Sequence, residues 1–456
     1  MQEQTLLRPD STRVKMPQSV ESSDRLRISV IGAGYLGTAH AVGMAQLGHD
    51  VIAMDIDEEK IARLSACELP FFEPGLGELL RKSVEAGRLR FTASYDDVAE
   101  ADVHFVCVGT PQLPGSFNAD LRWVETAFAE LARRVVGPAV IVGKSTVPVG
   151  TARRMADVVR HQTDGSRAEV AWNPEFLREG HAVQDTLQPD RLIFGVESRW
   201  AEQLLRAVYQ PIIEDGCPLV VTDYATAELV KVSANAFLAM KISFINGMAQ
   251  ICEATGAAVL PLAEALGYDD RIGRRFLGPG LGFGGGCLPK DVRALYACAT
   301  DLGLDEVATF VRQIDNINLS RRDRALALGR ELLGGTYEGK RVCVLGAAFK
   351  PNTDDVRDSP ALAVAVAAHR EGARVTTHDP VAMNSARLVH PEIEYADTIV
   401  TAALEADLVM LLTDWTEFED MDPALLSSVV RSRNVLDGRN ALTPERWRAA
   451  GWTYCA

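Results

Sequence analysis

Short apolar, β-branched runs alternate with helical patterns in the first third of the chain. The first run, at 27–31, stops at a glycine turn, and a helical pattern over about 36–47 follows it. A second apolar run at 51–54 comes next, and buried-strand patterns at 101–108 and 140–142 also end in glycine-containing turns. Strands that alternate with helices predict a parallel sheet with helices on both faces.

The same order of patterns returns near the C-terminus. RVCVLGAAF, GARVTTHDP and ADLVMLLTDW repeat the order of RISVIGAGY, GHDVIAMDID and ADVHFVCVGTP. Between the two sets, residues from about 224 to 330 carry long helical patterns and few strand signals. We therefore predict an α/β fold with two Rossmann-like, doubly wound parallel-sheet domains on either side of a helical domain. The predicted division is a flexible leader at 1–25, an N-terminal domain at 26–223, a central domain at 224–333 and a C-terminal domain at 334–456.

Composition narrows the function classes. A length of 456 residues suits three domains of roughly 150 residues each. A net charge of -15 argues against a nucleic-acid or anionic-membrane partner. The eight cysteines show no C-x-x-C spacing, so we expect neither a metal site nor a disulfide framework. The polar leader lacks a signal-peptide core, and no apolar run reaches the roughly 20 residues of a membrane span, so we expect a cytoplasmic protein.

A glycine motif follows the first strand pattern and predicts a dinucleotide site. Gly32, Gly34 and Gly37 have the G-x-G-x-x-G spacing, which allows a tight turn, an approach of backbone to pyrophosphate and close helix packing. Asp55 ends the second strand pattern, where a carboxylate binds ribose hydroxyls and repels a 2′-phosphate. The motif therefore predicts NAD rather than NADP as cofactor.

Two similar turns are interpreted differently. The segment 143–146, GKST, resembles the end of a P-loop, but the upstream glycine is misplaced and the intervening residues read as a strand. The turn at 346–351 lacks the three-glycine pattern, so we do not expect a dinucleotide there. Its neighbours Lys350 and Arg357 are either phosphate ligands or solvated surface cations.

The segment 278–291 is the most unusual in composition. Six glycines in nine residues cost backbone entropy, which indicates a loop that something approaches closely. The loop carries Cys287, Lys290 and Asp291, and a thiolate on a flexible loop near cations acts as a nucleophile. Lys231 and Asn235 lie one helical turn apart on an otherwise apolar face, which indicates an enclosed lysine. Glu175 and Glu179 are four residues apart, which an ordinary acidic helix start explains equally well.

Taken together, these stretches resemble the UDP-glucose/GDP-mannose dehydrogenase family. The resemblance extends over nearly the whole chain after the leader, with the motifs in family order. The matching stretches are GAGYLG at 32–37, FFEPGL at 71–76, VCVGTP at 106–111, KSTVPVGT at 144–151, NPEFLREG at 173–180, ELVKVSANAFLAMKISFIN at 228–246, GFGGGCLPKD at 282–291, GAAFKPNTDDVRDSP at 346–360 and DGRN at 437–440.

The resemblance implies a reaction and its catalytic residues. The reaction is a four-electron oxidation of the C6 alcohol of a sugar nucleotide, UDP-glucose above all, with two NAD+ and no metal. Cys287 matches a nucleophile that forms a thiohemiacetal and then a thioester. Lys231 and Asn235 match residues that stabilise an oxyanion, Asp291 and Thr146 match residues that position water, and Glu175 matches an acid/base residue.

The resemblance also implies binding residues and a homodimer joined through the central domain. Implied NAD contacts are Gly32, Gly34, Tyr35, Leu36, Gly37, Asp55, Thr110, Thr146, Lys290 and Arg357. Implied substrate contacts are Glu175, Phe176, Leu177, Glu179, Lys231, Asn235, Gly284, Phe349, Lys350, Arg439 and, from the second copy, Arg271.

Departures from the family pattern leave alternatives open. The loop reads GGGCLPKD, without the serine before the cysteine and the phenylalanine after it that many UDP-glucose enzymes carry. The same reaction on dTDP-glucose, GDP-mannose or a UDP-N-acetylhexosamine is one alternative. For dTDP-glucose the reason is that thymine differs from uracil by one methyl group, which a pocket discriminates by only about 1–3 kcal/mol. A two-electron alcohol dehydrogenase and a non-catalytic nucleotide-binding protein are the others.

Overall fold

The computed structural model describes residues 25–163 and 167–456. Apart from Arg25, the predicted leader at 1–25 lies outside the described residues, and the division into domains stays a prediction. Within the described ranges, no helix combines the length and the apolar character that crossing a membrane requires.

An eight-stranded sheet forms the N-terminal part of the chain. Its strands run in the order β3-β2-β1-β4-β5-β6-β7-β8, and neighbours are parallel except at the β6–β7 junction, where Trp172 pairs antiparallel with Gly195. The last two strands therefore run against the first six, a detail beyond the predicted parallel sheet. The strands are β1 Arg27–Ile31, β2 Asp50–Met54, β3 Leu89–Thr92, β4 Val103–Val106, β5 Ala139–Gly143, β6 Ala168–Trp172, β7 Leu192–Gly195 and β8 Leu219–Thr222.

Helices cover both faces of this sheet, and each face has its own apolar core. The helices are α1 Tyr35–Gln46, α2 Glu58–Ser65, α3 Leu76–Glu85, α4 Arg122–Arg134, α5 Thr151–Gln162, α6 Ala182–Leu187, α7 Arg199–Val208 and α8 Gln210–Glu214, with a 3₁₀ turn at Tyr95–Val98.

Four helices form the central part of the chain, and three of them pack on one another. They are α9 Tyr224–Thr255, α10 Val259–Gly267, α11 Leu288–Asp301 and α12 Asp305–Leu332. The long helix α9 begins where the Asp223 carboxylate accepts a hydrogen bond from the Thr226 amide at 2.8 Å, and it ends at Gly256 with a φ of +76°. At 1.5 Å per residue its 32 residues span about 48 Å.

A second sheet completes the fold. Its six strands are all parallel in the order β11-β10-β9-β12-β13-β14, which matches the order of the first six strands of the first sheet. Two Rossmann-like sheets with a helical part between them confirm the predicted fold class. The strands are β9 Arg341–Leu345, β10 Arg374–His378, β11 Glu394–Tyr395, β12 Leu408–Leu411, β13 Asn434–Asp437 and β14 Thr453–Cys455, and the helices are α13 Pro360–Arg370, α14 Met383–Val389, α15 Ile399–Ala403, α16 Thr416–Glu419, α17 Pro423–Ser427 and α18 Pro444–Ala449.

Candidate active site

The glycine turn between β1 and α1 has the geometry of a dinucleotide site. Gly32 has a φ of +93°, and a Cβ on Gly37 would lie 1.7 Å from the Gly32 carbonyl oxygen, so both positions require glycine. A Cβ on Gly34 would meet no atom within 4 Å, so this part of the turn is open to a ligand. The helix α1 begins at Tyr35 without a side-chain cap, which leaves its first amides available to phosphate oxygens. The turn therefore fits the pyrophosphate of NAD.

Asp55 lies beside this turn, directly after β2. Its Oδ2 accepts hydrogen bonds from the Ala33 amide at 2.9 Å and from Lys60 Nζ at 2.9 Å. The predicted ribose-binding carboxylate is therefore fixed against the turn. Lys60, which no sequence motif indicated, adds a cation directly beside the Asp55 carboxylate.

Cys287 lies at the start of α11, and its side chain is accessible from the cleft between the N-terminal and C-terminal sheets. Protein atoms surround the thiol on its other sides. This burial, followed by the charge of Glu175, raises the pKa of the Cys287 thiol to about 11, although Lys231 acts in the opposite direction. The expected reactive thiolate is therefore a neutral thiol in the free protein.

A buried network of charged and amide groups surrounds this thiol. Lys231 Nζ lies 3.1 Å from Glu175 Oε1, and the lysine is 4% exposed, as its apolar helix face predicted. Burial opposes the charge of Lys231, but the acidic neighbours, Glu175 foremost, prevail and raise its pKa. Asn235 donates from Nδ2 to Asp291 Oδ2 at 2.6 Å, and Lys290 Nζ lies 2.6 Å from Asp291 Oδ1. Two cations and two carboxylates thus alternate beside Cys287.

Two threonines lie beside the Lys290–Asp291 end of this network. Thr110 donates from Oγ1 to the Thr146 carbonyl at 2.8 Å. Both residues line one pocket together with Lys290 and Asp291. The interpretation of 143–146 as a strand end that presents its last residues to a site agrees with this arrangement.

The glycine-rich loop packs so closely against the C-terminal part of the chain that three of its positions have no room for a side chain. A Cβ on Gly285 would lie 2.7 Å from the Phe349 ring, and a Cβ on Gly286 would lie 2.3 Å from the guanidinium carbon of Arg357. Gly284 packs equally closely against the Asp358 carbonyl. The loop is therefore clamped by protein, where the sequence suggested a flexible segment.

Charged residues of the C-terminal part meet the 173–180 segment across the cleft. Arg357 Nη2 lies 3.0 Å from Glu179 Oε1, and the Arg357 side chain also pairs with Asp355 at 2.7 Å. Burial and the Asp355 carboxylate raise the pKa of Glu179 to about 7. Lys350 belongs to the same group, and burial lowers its pKa despite the nearby Glu179. The cleft therefore presents both signs of charge here.

Arg439, a candidate substrate contact, also holds two parts of the chain together. Its Nε donates to the Leu412 carbonyl at 2.7 Å, Nη1 to the Gly282 carbonyl at 3.0 Å and Nη2 to the Phe349 carbonyl at 3.1 Å. These three bonds join the glycine-rich loop to the second sheet. Burial lowers the pKa of Arg439.

Two of the predicted substrate residues, Phe176 and Leu177, directly follow Glu175. The Leu177 amide donates to Glu175 Oε2 at 2.5 Å, which fixes the carboxylate. Phe176 lies between two cations, with Lys231 Nζ 5.3 Å and the Arg191 guanidinium 3.9 Å from its ring centroid. The 173–180 segment is thus held from several directions.

Arg271 does not join this cluster within one chain. Its side chain is 89% exposed and forms an ion pair with Asp269 at 2.7 Å, in the loop that follows α10. Among residues 25–163 and 167–456, no group of three or more His, Cys, Asp or Glu side chains is arranged to hold a metal ion.

Two buried charged residues near the site have no role in the sequence analysis. Lys144 donates to Asn173 Oδ1 at 2.9 Å and to the Tyr209 hydroxyl at 3.2 Å, and burial lowers its pKa to about 8. Glu73 is 5% exposed and accepts a hydrogen bond from the hydroxyl of Tyr35, which follows the cofactor turn. Both belong to stretches that carried the family resemblance, KSTVPVGT and FFEPGL. Their hydrogen-bond partners are distant in sequence, so the sequence alone did not indicate these contacts.

Three models of one family match the chain in order. They describe the UDP-glucose/GDP-mannose dehydrogenase family, with its NAD binding domain at residues 26–213, its central domain at 225–320 and its UDP binding domain at 343–444.

Individual proteins show the same similarity. A UDP-glucose 6-dehydrogenase of Rhizobium meliloti is 42% identical over 437 residues, which cover 94% of this chain and 99% of that protein. One of Bacillus subtilis is 38% identical, with coverage of 94% and 97%. Among solved structures, a UDP-glucose dehydrogenase from Pyrobaculum islandicum has a TM-score of 0.88 at 38% identity and covers 97% of this chain and 99% of that chain. A UDP-D-ManNAc dehydrogenase from Pyrococcus horikoshii has a TM-score of 0.83 at 28% identity, with coverage of 94% and 98%.

Proposed function

The chain belongs to the UDP-glucose/GDP-mannose dehydrogenase family, and on that premise we propose that it oxidises the C6 alcohol of UDP-glucose to the carboxylate. It is an NAD-dependent oxidoreductase, and the products are UDP-glucuronate and two NADH. The observation that supports this proposal most is the arrangement of one accessible thiol, Cys287, beside the Lys231–Glu175 ion pair and the Asn235–Asp291 hydrogen bond.

NAD is the cofactor, and the chain offers it a glycine turn and a carboxylate. Gly32, Gly34 and Gly37 shape the turn for the pyrophosphate, and Asp55 accepts hydrogen bonds from ribose hydroxyls. NAD+, when bound, accepts one hydride in each of the two oxidations. The further contacts are Tyr35, Leu36, Thr110, Thr146, Lys290 and Arg357.

In the first oxidation the C6 alcohol becomes an aldehyde. The alcohol must lose a proton as the C6 hydrogen leaves, and Glu175 is the base in hydrogen-bond distance of the buried Lys231 ammonium. Lys231 and Asn235 then face the negative charge that develops on the C6 oxygen. Donors that are fixed in a site with little water stabilise such a charge without reorganisation.

Cys287 retains the aldehyde for the second oxidation. The thiol sulfur forms a bond to C6, the thiol proton leaves through the acid/base groups of the site, and the carbonyl oxygen becomes the hydroxyl of a thiohemiacetal. Loss of the remaining C6 hydride and of the hydroxyl proton gives a thioester. Water held by Asp291 and Thr146 attacks this thioester, which releases the carboxylate and restores the thiol.

The sugar nucleotide lies in the cleft between the two sheets. We assign its contacts to the 173–180 segment, the glycine-rich loop and the second sheet, where Lys350 and Arg357 supply positive charge for the diphosphate. The contacting residues are Glu175, Phe176, Leu177, Glu179, Lys231, Asn235, Gly284, Phe349, Lys350 and Arg439.

A homodimer completes this proposal. The helix α9 exposes four large apolar side chains at spacings of seven or eight residues, which form one stripe: Leu229, Phe237, Phe244 and Ile251, each 43–59% exposed. We propose that a second copy covers this stripe and that the exposed Arg271 reaches the partner's cleft. Sedimentation should therefore give at least a dimer, and a fully active monomer would contradict this part of the proposal. We further propose the cytoplasm as its compartment, since all eight cysteines are free thiols.

The experiment that tests the substrate compares four sugar nucleotides under identical conditions. UDP-glucose, dTDP-glucose, GDP-mannose and UDP-N-acetylglucosamine are each incubated with NAD+ or NADP+, and NADH or NADPH formation is followed by absorbance. We expect the highest kcat/KM for UDP-glucose with NAD+. A higher value for another sugar nucleotide would make that compound the substrate. No turnover with any of the four would refute the proposed oxidation of a sugar nucleotide.

A further inference from the structure

Glu73 is a buried carboxylate that the reaction as proposed does not use. It lies in the segment between α2 and α3 and is 5% exposed. Its Oε2 accepts a hydrogen bond from the Gly180 amide at 2.7 Å, and its Oε1 accepts one from the Ala182 amide at 2.7 Å. The Tyr35 hydroxyl also donates to Oε2. Three donors on one carboxylate form a strong, charge-assisted cluster.

These donors come from two parts of the site that are distant in sequence. Tyr35 is the first residue of α1 and directly follows Gly34 in the cofactor turn. Gly180 directly follows Glu179, and the 173–180 segment also carries Glu175. The Gly180 amide additionally donates to the Tyr35 hydroxyl at 3.3 Å. One carboxylate thus connects the cofactor turn to the segment that carries both site glutamates.

The segment that carries Glu73 and the 173–180 segment both contact other parts of the chain. The Phe72 amide donates to Asp354 Oδ1 at 3.2 Å, and the Phe71 ring packs on the Tyr35 ring with 4.9 Å between centroids. Gly180 has a φ of +82°, and a Cβ there would lie 2.8 Å from the Asn352 carbonyl oxygen. Position 180 therefore requires glycine for this close contact between the 173–180 segment and the C-terminal part of the chain.

We propose that Glu73 is a positioning residue that couples the cofactor turn to the 173–180 segment, so that a bound cofactor raises the affinity for the sugar nucleotide. A dinucleotide on the turn fixes Gly34 and Tyr35. The Tyr35 hydroxyl then holds Glu73, and Glu73 holds the amides that orient Glu179 and Glu175. A first ligand that orders this connection lowers the entropy cost of the second, and the effect is reciprocal. The inference rests on the proposed function for the identity of the two ligands.

The structure also indicates which substitution breaks the connection. A glutamine at position 73 offers one oxygen in place of two, and its NH2 group cannot accept a hydrogen bond. Either the Ala182 amide or the Gly180–Tyr35 pair then loses its acceptor. Tyr35→Phe is narrower, because it removes only the hydroxyl and leaves the carboxylate on both amides.

The control variant is Glu228→Gln. Glu228 is 2% exposed and accepts hydrogen bonds from two amides two residues apart, Gly150 at 2.7 Å and Ala152 at 2.6 Å. No hydrogen bond joins this carboxylate to the cofactor turn in the part of the chain that the structure describes. Glu228→Gln therefore removes a buried carboxylate that binds two backbone amides, as Glu73→Gln does, but leaves the link between the cofactor turn and the 173–180 segment intact.

The test titrates the full-length protein with UDP-glucose by calorimetry, with and without saturating NADH, a pair of ligands that cannot react with each other. We expect NADH to lower the Kd for UDP-glucose about tenfold in the wild type, within the usual range of coupling between sites. In Glu73→Gln and in Tyr35→Phe this ratio should fall to within about twofold of one. Glu228→Gln should lower the melting temperature yet retain the wild-type ratio.

The outcomes separate this inference from the proposed function. A wild-type ratio of one, or an unchanged ratio in Tyr35→Phe, would overturn the coupling even if Glu73→Gln failed to fold. If UDP-glucose does not bind but another of the four sugar nucleotides does, the substrate is wrong, and the same ratio is measured with that ligand. If none of the four binds, both the proposed function and the coupling are refuted.

Discussion

The ionisation of Cys287 is open to a direct chemical test. Burial and Glu175 raise the pKa of its thiol to about 11, against an ordinary value of 9.0. At pH 8 a thiol with that raised pKa is a thiolate in about one molecule in a thousand, whereas an ordinary one is a thiolate in about one in ten. Because only the thiolate is alkylated, Cys287 should react about 100-fold more slowly than an unperturbed thiol at this pH.

The perturbation is Glu175→Gln, and the assay is alkylation by iodoacetamide. Removing the Glu175 charge removes one cause of the raised pKa and leaves the Lys231 ammonium without its acidic partner, so both effects lower the pKa of the thiol. The initial rate of alkylation at pH 8 should therefore increase. Lys231→Met is the matched opposite, because it removes the cation that lowers the pKa, and it should slow the reaction further.

Mass spectrometry of the peptide that carries Cys287 gives the rate at each pH from 6 to 10.5. In the wild-type protein the rate should still be rising at the upper end of this range, with glutathione as the reference thiol. A plateau below pH 9, or slower alkylation in Glu175→Gln than in the wild type, would refute the electrostatic account of the site.

Three further predictions follow from single contacts. Burial and a neighbouring carboxylate raise the pKa of Glu179 from 4.5 to about 7, so the folded protein binds more protons than the unfolded chain in this window and its stability should fall as pH rises through it. Thermal unfolding at several pH values should show a shallower fall for Glu179→Gln, and parallel profiles would contradict this. Asp55→Ala should weaken NAD binding and leave Lys60 free for a 2′-phosphate, so the ratio of kcat/KM for NADP to that for NAD should rise. The rise should be smaller in the double variant with Lys60→Ala. An unchanged ratio would refute the assignment of Asp55 to the ribose hydroxyls. Gly285→Ala should lower both the melting temperature and kcat, because its Cβ would lie 2.7 Å from the Phe349 ring, and unchanged values would show that the loop gives way.

Local patterns were sufficient to predict the fold. In the first sheet the strand patterns at 27–31, 101–108 and 140–142 are recognisable because each ends at a glycine. Gly32 and Gly37 have the tight turn and the close helix packing that their spacing predicts. Lys231 and Asn235 were found because helical periodicity puts them on one face. The antiparallel junction at Trp172 was not predicted, since nothing in a short buried run fixes the direction of the strand.

The parts of the site that were missed depend on contacts across the chain. Six glycines indicated a close approach, but only the fold shows that Phe349 and Arg357 make it. The neutral state of the Cys287 thiol depends on burial, which its sequence neighbours do not reveal. Glu73 reads as a surface acid in a turn, and its role becomes visible only through amides more than a hundred residues away.

A four-electron oxidation through a covalent thioester requires the thiol of Cys287. The most direct measurement is the amount of NADH formed per UDP-glucose at completion, with UDP-glucose limiting, in the wild type and in Cys287→Ala. We expect two NADH from the wild type and no more than one from the variant, which cannot form the thiohemiacetal. One NADH from the wild type, or two from Cys287→Ala at the wild-type rate, would contradict this mechanism.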